Sequence, residues 1–218
     1  MSPPEEELAD TEPKFVAFRA EGGVRTKIAD IRPEETVRKA VLGEVSPVFA
    51  VSYGSGAVAV GDLETGEMEE LPVRYSPGEV LQIAFAGDDR FLAVLRSTGY
   101  TDLVRLESGE TELSLEGSYV KEYIRNMDTI HCVTDEDADR MYITVRSSGN
   151  TYGSLFIVDT GSMTNTLVLD LDTYGYCPLD GRIWRWSYFE KKLVAFPART
   201  LAELEAWAGE RLEGEETD

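Results

Sequence analysis

The tetrad "LETG" at 63–66 returns as "LESG" at 106–109, and "AEGG" occupies 20–23, so a glycine-containing turn recurs at an interval of 43 residues. A turn at a constant spacing means that one supersecondary unit is being repeated, and a unit of that length restricts the chain to a small group of repeat architectures. Placing 46–71 over 89–115 at this offset matches Ala50-Val51 with Ala93-Val94 and Gly56 with Gly99. At an offset of 50, "DRFLAVLRSTG" (89–99) falls on "DRMYITVRSSG" (139–149), and the third copy is enlarged by "NTYGS" at 150–154.

Within each copy, β-branched and aromatic stretches are bounded by Gly, Asp and Ser, which is the mark of short strands separated by tight turns. The second copy predicts strands near 80–86, 90–96, 101–107 and 110–115, and the third near 129–134, 140–146, 154–159 and 164–170. The first copy begins at "TVRKAVL" (36–42) and continues through "VFAVSY", "AVAVGDL" and "EMEELPV". Four strands per unit at this period is the pattern of a β-propeller blade. The fold class expected is therefore all-β, a propeller of four blades of four antiparallel strands.

Both ends of the repeat region carry partial units. "KFVAFRAEGGVRTKIADI" (14–31) holds its tetrad in register and reads as the third and outer strands of a blade, and "GRIWRWSYFEKKLVAFP" (181–197) reads as two strands with a turn at 189–192. Together they are expected to close the array with strands from both termini, which hides the open edges that a linear array exposes. "TLAELEAWAGERL" (200–212) reads as a short amphipathic helix capped by Thr200, with Leu201, Leu204, Trp207 and Ala208 on one face packed against the propeller. The organisation expected is an acidic disordered tail over 1–13, a propeller over 14–197, and the helix with an acidic tail over 198–218.

The third copy, "DEDADRMYITVRSSGNTYGSLFIVDTGSMTNTLVLDL" (135–171), resembles the YVTN-type propeller repeat, with Tyr142, Asn150, Val158, Asp159 and Thr160 at matching places. Propellers with WD repeats are the next most similar group, although no Trp-Asp dipeptide or Gly-His pair occurs here. The resemblance implies a repeat scaffold, and propellers of this kind serve as binding scaffolds, cell-surface proteins and, in a minority, enzymes.

Charge narrows the partners. The chain of 218 residues has 41 acidic against 21 basic residues, a formal charge of −20, which opposes any general affinity for nucleic acid or anionic membranes. An acidic body with six lysines fits solubility in a salty, halophilic cytoplasm, and it equally fits a protein that meets a basic partner. No apolar run approaches the roughly 18–20 residues of a membrane span. The opening "MSPPEEELADTEPK" is unlike a secretory leader, so the compartment expected is the cytoplasm.

No catalytic or metal constellation stands out. Cys132 and Cys177 are far apart and His131 is the single histidine, so an ordinary four-ligand zinc site is excluded and two reduced, buried thiols are expected. His131 and Cys132 are strand neighbours that point to opposite faces, which keeps them from acting as a base and nucleophile pair, and His131 is expected in the core or a channel. The acidic turn "DEDAD" (135–139) lacks the spacing of a calcium loop and suits a tight turn between strands. The aromatic run "GYCPLDGRIWRWSY" (175–188) could stack sugars or bases, but its alternation favours core packing. No enzyme, cofactor or metal is therefore expected.

Sorting the turns by the end of the blade they occupy separates two surfaces. The first-to-second and third-to-outer turns carry Glu21, Glu64, Glu67, Asp88, Asp89, Glu107, Glu110, Asp135, Glu136, Asp137 and Asp139, an acidic end. The opposite turns and the blade links carry Tyr53, Arg96, Tyr100, Arg146, Asn150 and Tyr152, with Tyr119, Tyr123, Arg125, Tyr174 and Tyr176. Tyr and Arg dominate binding hot spots, so Tyr53, Arg96, Tyr100, Arg146, Asn150 and Tyr152 are the expected partner-binding residues. A plainer account is that Arg96 and Arg146 end a repeated strand and pair with local carboxylates. The function expected is a non-catalytic protein-protein interaction module within a larger assembly. The alternatives are a structural component of a virion or surface assembly, and a propeller or enzyme that binds a small molecule or sugar.

Overall fold

The computed structural model describes residues 15–21, 24–31, 35–71, 78–117, 127–135, 139–147, 153–170, 177–179, 182–187 and 189–215. Among the described residues, seventeen strands and one helix follow one another in chain order. The amino-terminal pair is β1 (Phe15–Glu21) with β2 (Val24–Ile31), in which Glu21 lies opposite Val24.

Three complete four-strand sheets come next, each an antiparallel meander whose spatial order equals its sequence order. The first is β3 (Val37–Leu42), β4 (Val48–Tyr53), β5 (Val58–Asp62) and β6 (Met68–Glu70). The second is β7 (Val80–Ala86), β8 (Phe91–Arg96), β9 (Tyr100–Arg105) and β10 (Thr111–Glu116). The third is β11 (Met127–Asp135), β12 (Arg140–Ser147), β13 (Gly153–Asp159) and β14 (Thr164–Asp170). A three-strand sheet of β15 (Cys177–Leu179), β16 (Arg182–Ser187) and β17 (Lys192–Pro197) follows, and the helix α1 (Leu201–Glu215) ends the described chain. This all-β succession with one carboxy-terminal helix is the expected fold class and matches a four-blade propeller. The chain divides into two compact units, Met1–Leu71 and Pro72–Asp218.

The 43-residue period extends to individual backbone hydrogen bonds. Gly54 N–H donates to Thr36 O as Ser97 N–H does to Glu79 O, and Leu63 N–H donates to Pro47 O as Leu106 N–H does to Arg90 O. Gly66 N–H bonds Asp62 O and Gly109 N–H bonds Arg105 O, closing the turn between the third and outer strands in each blade. Gly66 (φ 76°) and Gly109 (φ 67°) are left-handed there, a conformation that glycine adopts without steric cost. The recurrent tetrad is therefore the β5–β6 and β9–β10 turn.

In the first unit, Phe49, Val51, Tyr53 and Ala59 form the buried cluster. In the second, Phe91, Ala93 and Leu95 of β8 pack with Met141, Ile143 and Val145 of β12, which joins the second and third blades face to face. The first strands β7 and β11 run close to each other, as inner strands of consecutive blades do. The opposite face of the third blade, through Tyr142, Leu155 and Ile157, meets Ile183 and Ala198 of the last sheet region. The third blade thus buries both of its faces, and β8 of the second is buried along its whole length instead of alternating.

Two expectations change. The carboxy-terminal piece has three strands, not two: β15 is a three-residue strand with Pro178 at its centre, too short to show alternation and tolerated because it lies at a sheet edge. The helix does not bury the expected face, since Leu201 and Trp207 are exposed and Leu204 is half-buried. It is anchored at its start. Thr200 and Glu203 form a reciprocal capping box, with Thr200 N–H donating to Glu203 Oε2 at 2.9 Å and Glu203 N–H to Thr200 Oγ1 at 3.4 Å. Arg140 on β12 donates to Ala198 O at 2.6 Å and pairs with Glu203, which fastens the helix to the third blade.

Candidate interaction surface

Antiparallel pairing places the first-to-second and third-to-outer turns of each sheet at one end and the second-to-third turn at the other. At the first end, Glu64, Glu67, Glu107, Glu110 and Asp139 are exposed, whereas Asp89 is buried. The turn backbones explain several of these acids. Asp88 (φ 54°), Asp89 (φ 62°) and Asp139 (φ 50°) are left-handed, and Asp tolerates that region better than most side chains. Asp62 accepts Glu64 and Thr65 N–H at 2.7 and 2.8 Å, and Asp159 accepts Gly161 and Ser162 N–H at 3.0 and 2.7 Å. Main-chain donation holds both carboxyls below the usual carboxylate range: Thr65 then Glu64 for Asp62, and chiefly Ser162 for Asp159. The acidic end is a turn chemistry before it is a binding surface.

The other end departs from expectation at two of the six named residues. Tyr53 is buried in the first-blade cluster, and its hydroxyl meets Met68 Sδ at 3.5 Å. Arg96 is 3% exposed; its guanidinium donates to Gly78 O at 3.1 Å and lies 3.7 Å from the carboxylate of the fully buried Asp102. Asp102 in turn accepts a 2.6 Å bond from Ser114 Oγ. Neither Tyr53 nor Arg96 offers surface to a partner, because packing on the blade face and an interior carboxylate claim them. Tyr100 and Arg146 are half-buried and keep part of their surface open. Asn150 and Tyr152 lie outside the described residues, as do Tyr119, Tyr123, Arg125, Tyr174 and Tyr176.

The repeated Arg-Ser-small-Gly run has a structural reason. Besides the Arg96 bond to Gly78 O, Ser97 Oγ accepts Glu79 N–H at 2.9 Å and Ser97 N–H donates to Glu79 O at 2.8 Å, so this turn is stitched to the segment that enters β7. In each complete blade a register shift in the first strand falls beside this position: between Val37 and Lys39, Val80 and Gln82, and Met127 and Thr129. Such bulges bend a strand and re-aim its side chains. No residue pattern announces them.

His131 is exposed on β11, which takes it out of the core, one of the two expected places, and Cys132 is half-buried against the core shared by the second and third blades. The two face opposite ways, as alternation requires. In the aromatic run, Ile183 is buried in the cluster between the third blade and the last sheet, in keeping with core packing. Among the described residues, no group of three or more His, Cys, Asp or Glu side chains is placed to hold a metal ion.

The sheets and their turns define a propeller-type all-β fold. No family model matches the chain, and no curated protein matches it. Among solved structures, apo AztD from Citrobacter koseri is similar over 83% of this chain at 14% identity, with a TM-score of 0.51. This chain spans 44% of the length of that structure. The WD40 repeats of RRP9 are similar over 76% of this chain and 52% of theirs, at 13% identity and a TM-score of 0.46. The computationally designed Ika4 protein is similar over 77% of this chain and 94% of its own, at 13% identity and a TM-score of 0.47. The likeness to AztD is one of fold. No helix among the described residues is long and apolar enough to cross a membrane.

Proposed function

We propose that the chain is a non-catalytic interaction module of the YVTN-like or WD-like propeller type, which meets a protein partner through the second-to-third turn ends of its blades. The observation that carries this reading is the pair Tyr100 and Arg146. Each stands at a strand end, half-exposed, on the two blades whose strands β8 and β12 pack together. Side chains of these types held on a rigid framework supply contact area with little ordering cost. Exposed carboxylates at the opposite blade ends give the module an electrostatic polarity that orients an approaching partner.

The test is retention of a partner from the native host by the tagged chain and by a Tyr100→Ala/Arg146→Glu variant. Arg96 is left intact because it is interior. A protein held by the first and lost by the second, with unchanged circular dichroism, is the expected outcome. Equal retention by both would remove these residues from the interface.

A further inference from the structure

The entry to α1 and the helix itself bring two arginines onto one tryptophan. The Arg199 guanidinium lies over the Trp207 ring, 4.9 Å from its centroid, and the Arg211 guanidinium lies over the same ring at 4.7 Å. Arg211 is one helical turn beyond Trp207, whereas Arg199 precedes the helix, between Ala198 and Thr200, which are both buried. The Arg140 bond to Ala198 O and the Thr200–Glu203 capping box hold that entry, so the backbone on either side of Arg199 is fixed. Trp207 itself keeps 41% of its surface exposed.

With 41 acidic residues against 21 basic ones, carboxylates are abundant in this chain, and other arginines take them: Arg105 pairs with Glu112 and Arg140 with Glu203. Among the described residues, neither Arg199 nor Arg211 forms an ion pair, although Glu210 adjoins Arg211 in sequence. Glu203 is already engaged by Arg140 and Thr200, and Glu205 lies on the side of the helix away from Trp207. A guanidinium lying over a ring keeps its in-plane N–H donors open, and that planar fork fits a carboxylate bidentately. The shared ring holds both forks in place before a ligand arrives.

We propose that the Arg199–Trp207–Arg211 stack binds two carboxylates of an extended acidic segment on a partner protein. Side chains at alternate positions of such a segment stand on one face about 7 Å apart, which suits two guanidiniums that share a single ring. Each carboxylate takes one fork. A nucleic acid is a poorer match, because two cations in a chain of formal charge −20 release few counterions. The site uses neither Tyr100 nor Arg146, so it stands or falls apart from the turn-end interface.

The probe is a fluorescein-labelled peptide of about ten residues alternating serine and glutamate, titrated into the full chain by anisotropy. Saturable binding is expected, and the same peptide with glutamine for glutamate should show none. Affinity should fall by about tenfold or more in Arg199→Gln/Arg211→Gln. It should fall comparably in Arg199→Lys/Arg211→Lys, which keeps both charges and loses both forks. Arg146→Glu should leave it unchanged. Wild-type affinity in the lysine variant would show attraction by charge alone and overturn the proposal. No saturable binding of the glutamate peptide, equal binding of the glutamine peptide, or equal competition by an oligonucleotide of similar charge would also overturn it. So would a stable dimer in sedimentation that dissociates in the glutamine variant, because a second copy would then occupy the site.

Discussion

Arg96 and Asp102 form an interior ion pair, 3.7 Å apart, at a place where the neighbouring blades have no such pair. Asp102 lies opposite Val94 in the second blade. The corresponding third-strand positions are Ala59, opposite Val51, and Leu155, opposite Thr144. Arg96 itself matches Tyr53 and Arg146 in the repeat, so the arginine recurs but its carboxylate does not.

Removing one partner leaves a buried charge, which costs about 3–5 kcal/mol. Asp102→Leu is therefore expected to lower the urea midpoint sharply. Arg96→Met/Asp102→Leu should recover most of the loss, because Gly78 is exposed and water can replace the arginine there. A double variant as unstable as the single would show that the pair is not what Asp102 contributes.

Gly61 faces Phe49 across the β4–β5 pair, and a Cβ built on it would lie 2.3 Å from the Phe49 ring and 2.7 Å from Glu67 O. Gly61→Ala is expected to destabilise by about 1–3 kcal/mol, the usual cost of overpacking. Phe49→Leu in the same chain should return part of that loss, read as a coupling in a double-mutant cycle.

Asp62 and Asp159 have folded-state pKa values below those of an unfolded aspartate, near about 3.9. Their contribution is fully present above that value and is lost as pH falls through the lower folded values. Wild type should lose stability in this acid range more steeply than Asp62→Asn/Asp159→Asn. Parallel acid-denaturation curves would contradict the assignment.

The helix depends on its first turn. Thr200→Val removes one side of the capping box and should cost about 1 kcal/mol of local stability. Arg140→Met should release the bond to Ala198 O and the pair with Glu203 together. Faster amide hydrogen exchange over α1, with unchanged exchange in β8 and β12, is the expected result in both variants.

Much of the architecture was legible because the signals are local. The strands predicted at 80–86, 140–146 and 164–170 appear as β7, β12 and β14 with almost the same bounds, and the tetrads at 63–66 and 106–109 fall in the turns assigned to them. The short β15 was not legible, since three residues around a proline carry no period. At the candidate surface, turn positions could be read but exposure could not. Tyr53 and Arg96 look like surface residues by type, and both are interior.

Glycine turns, alternation and a constant interval act within a few residues, so the chain order of residues alone set the repeat, its strands and its acidic turn ends. The fate of each side chain at the other end was decided by contacts between strands and between sheets. Register against β9 brought Asp102 to Arg96, and packing enclosed Tyr53. Burial is a property of what lies across from a residue, and a spacing along one strand does not contain it.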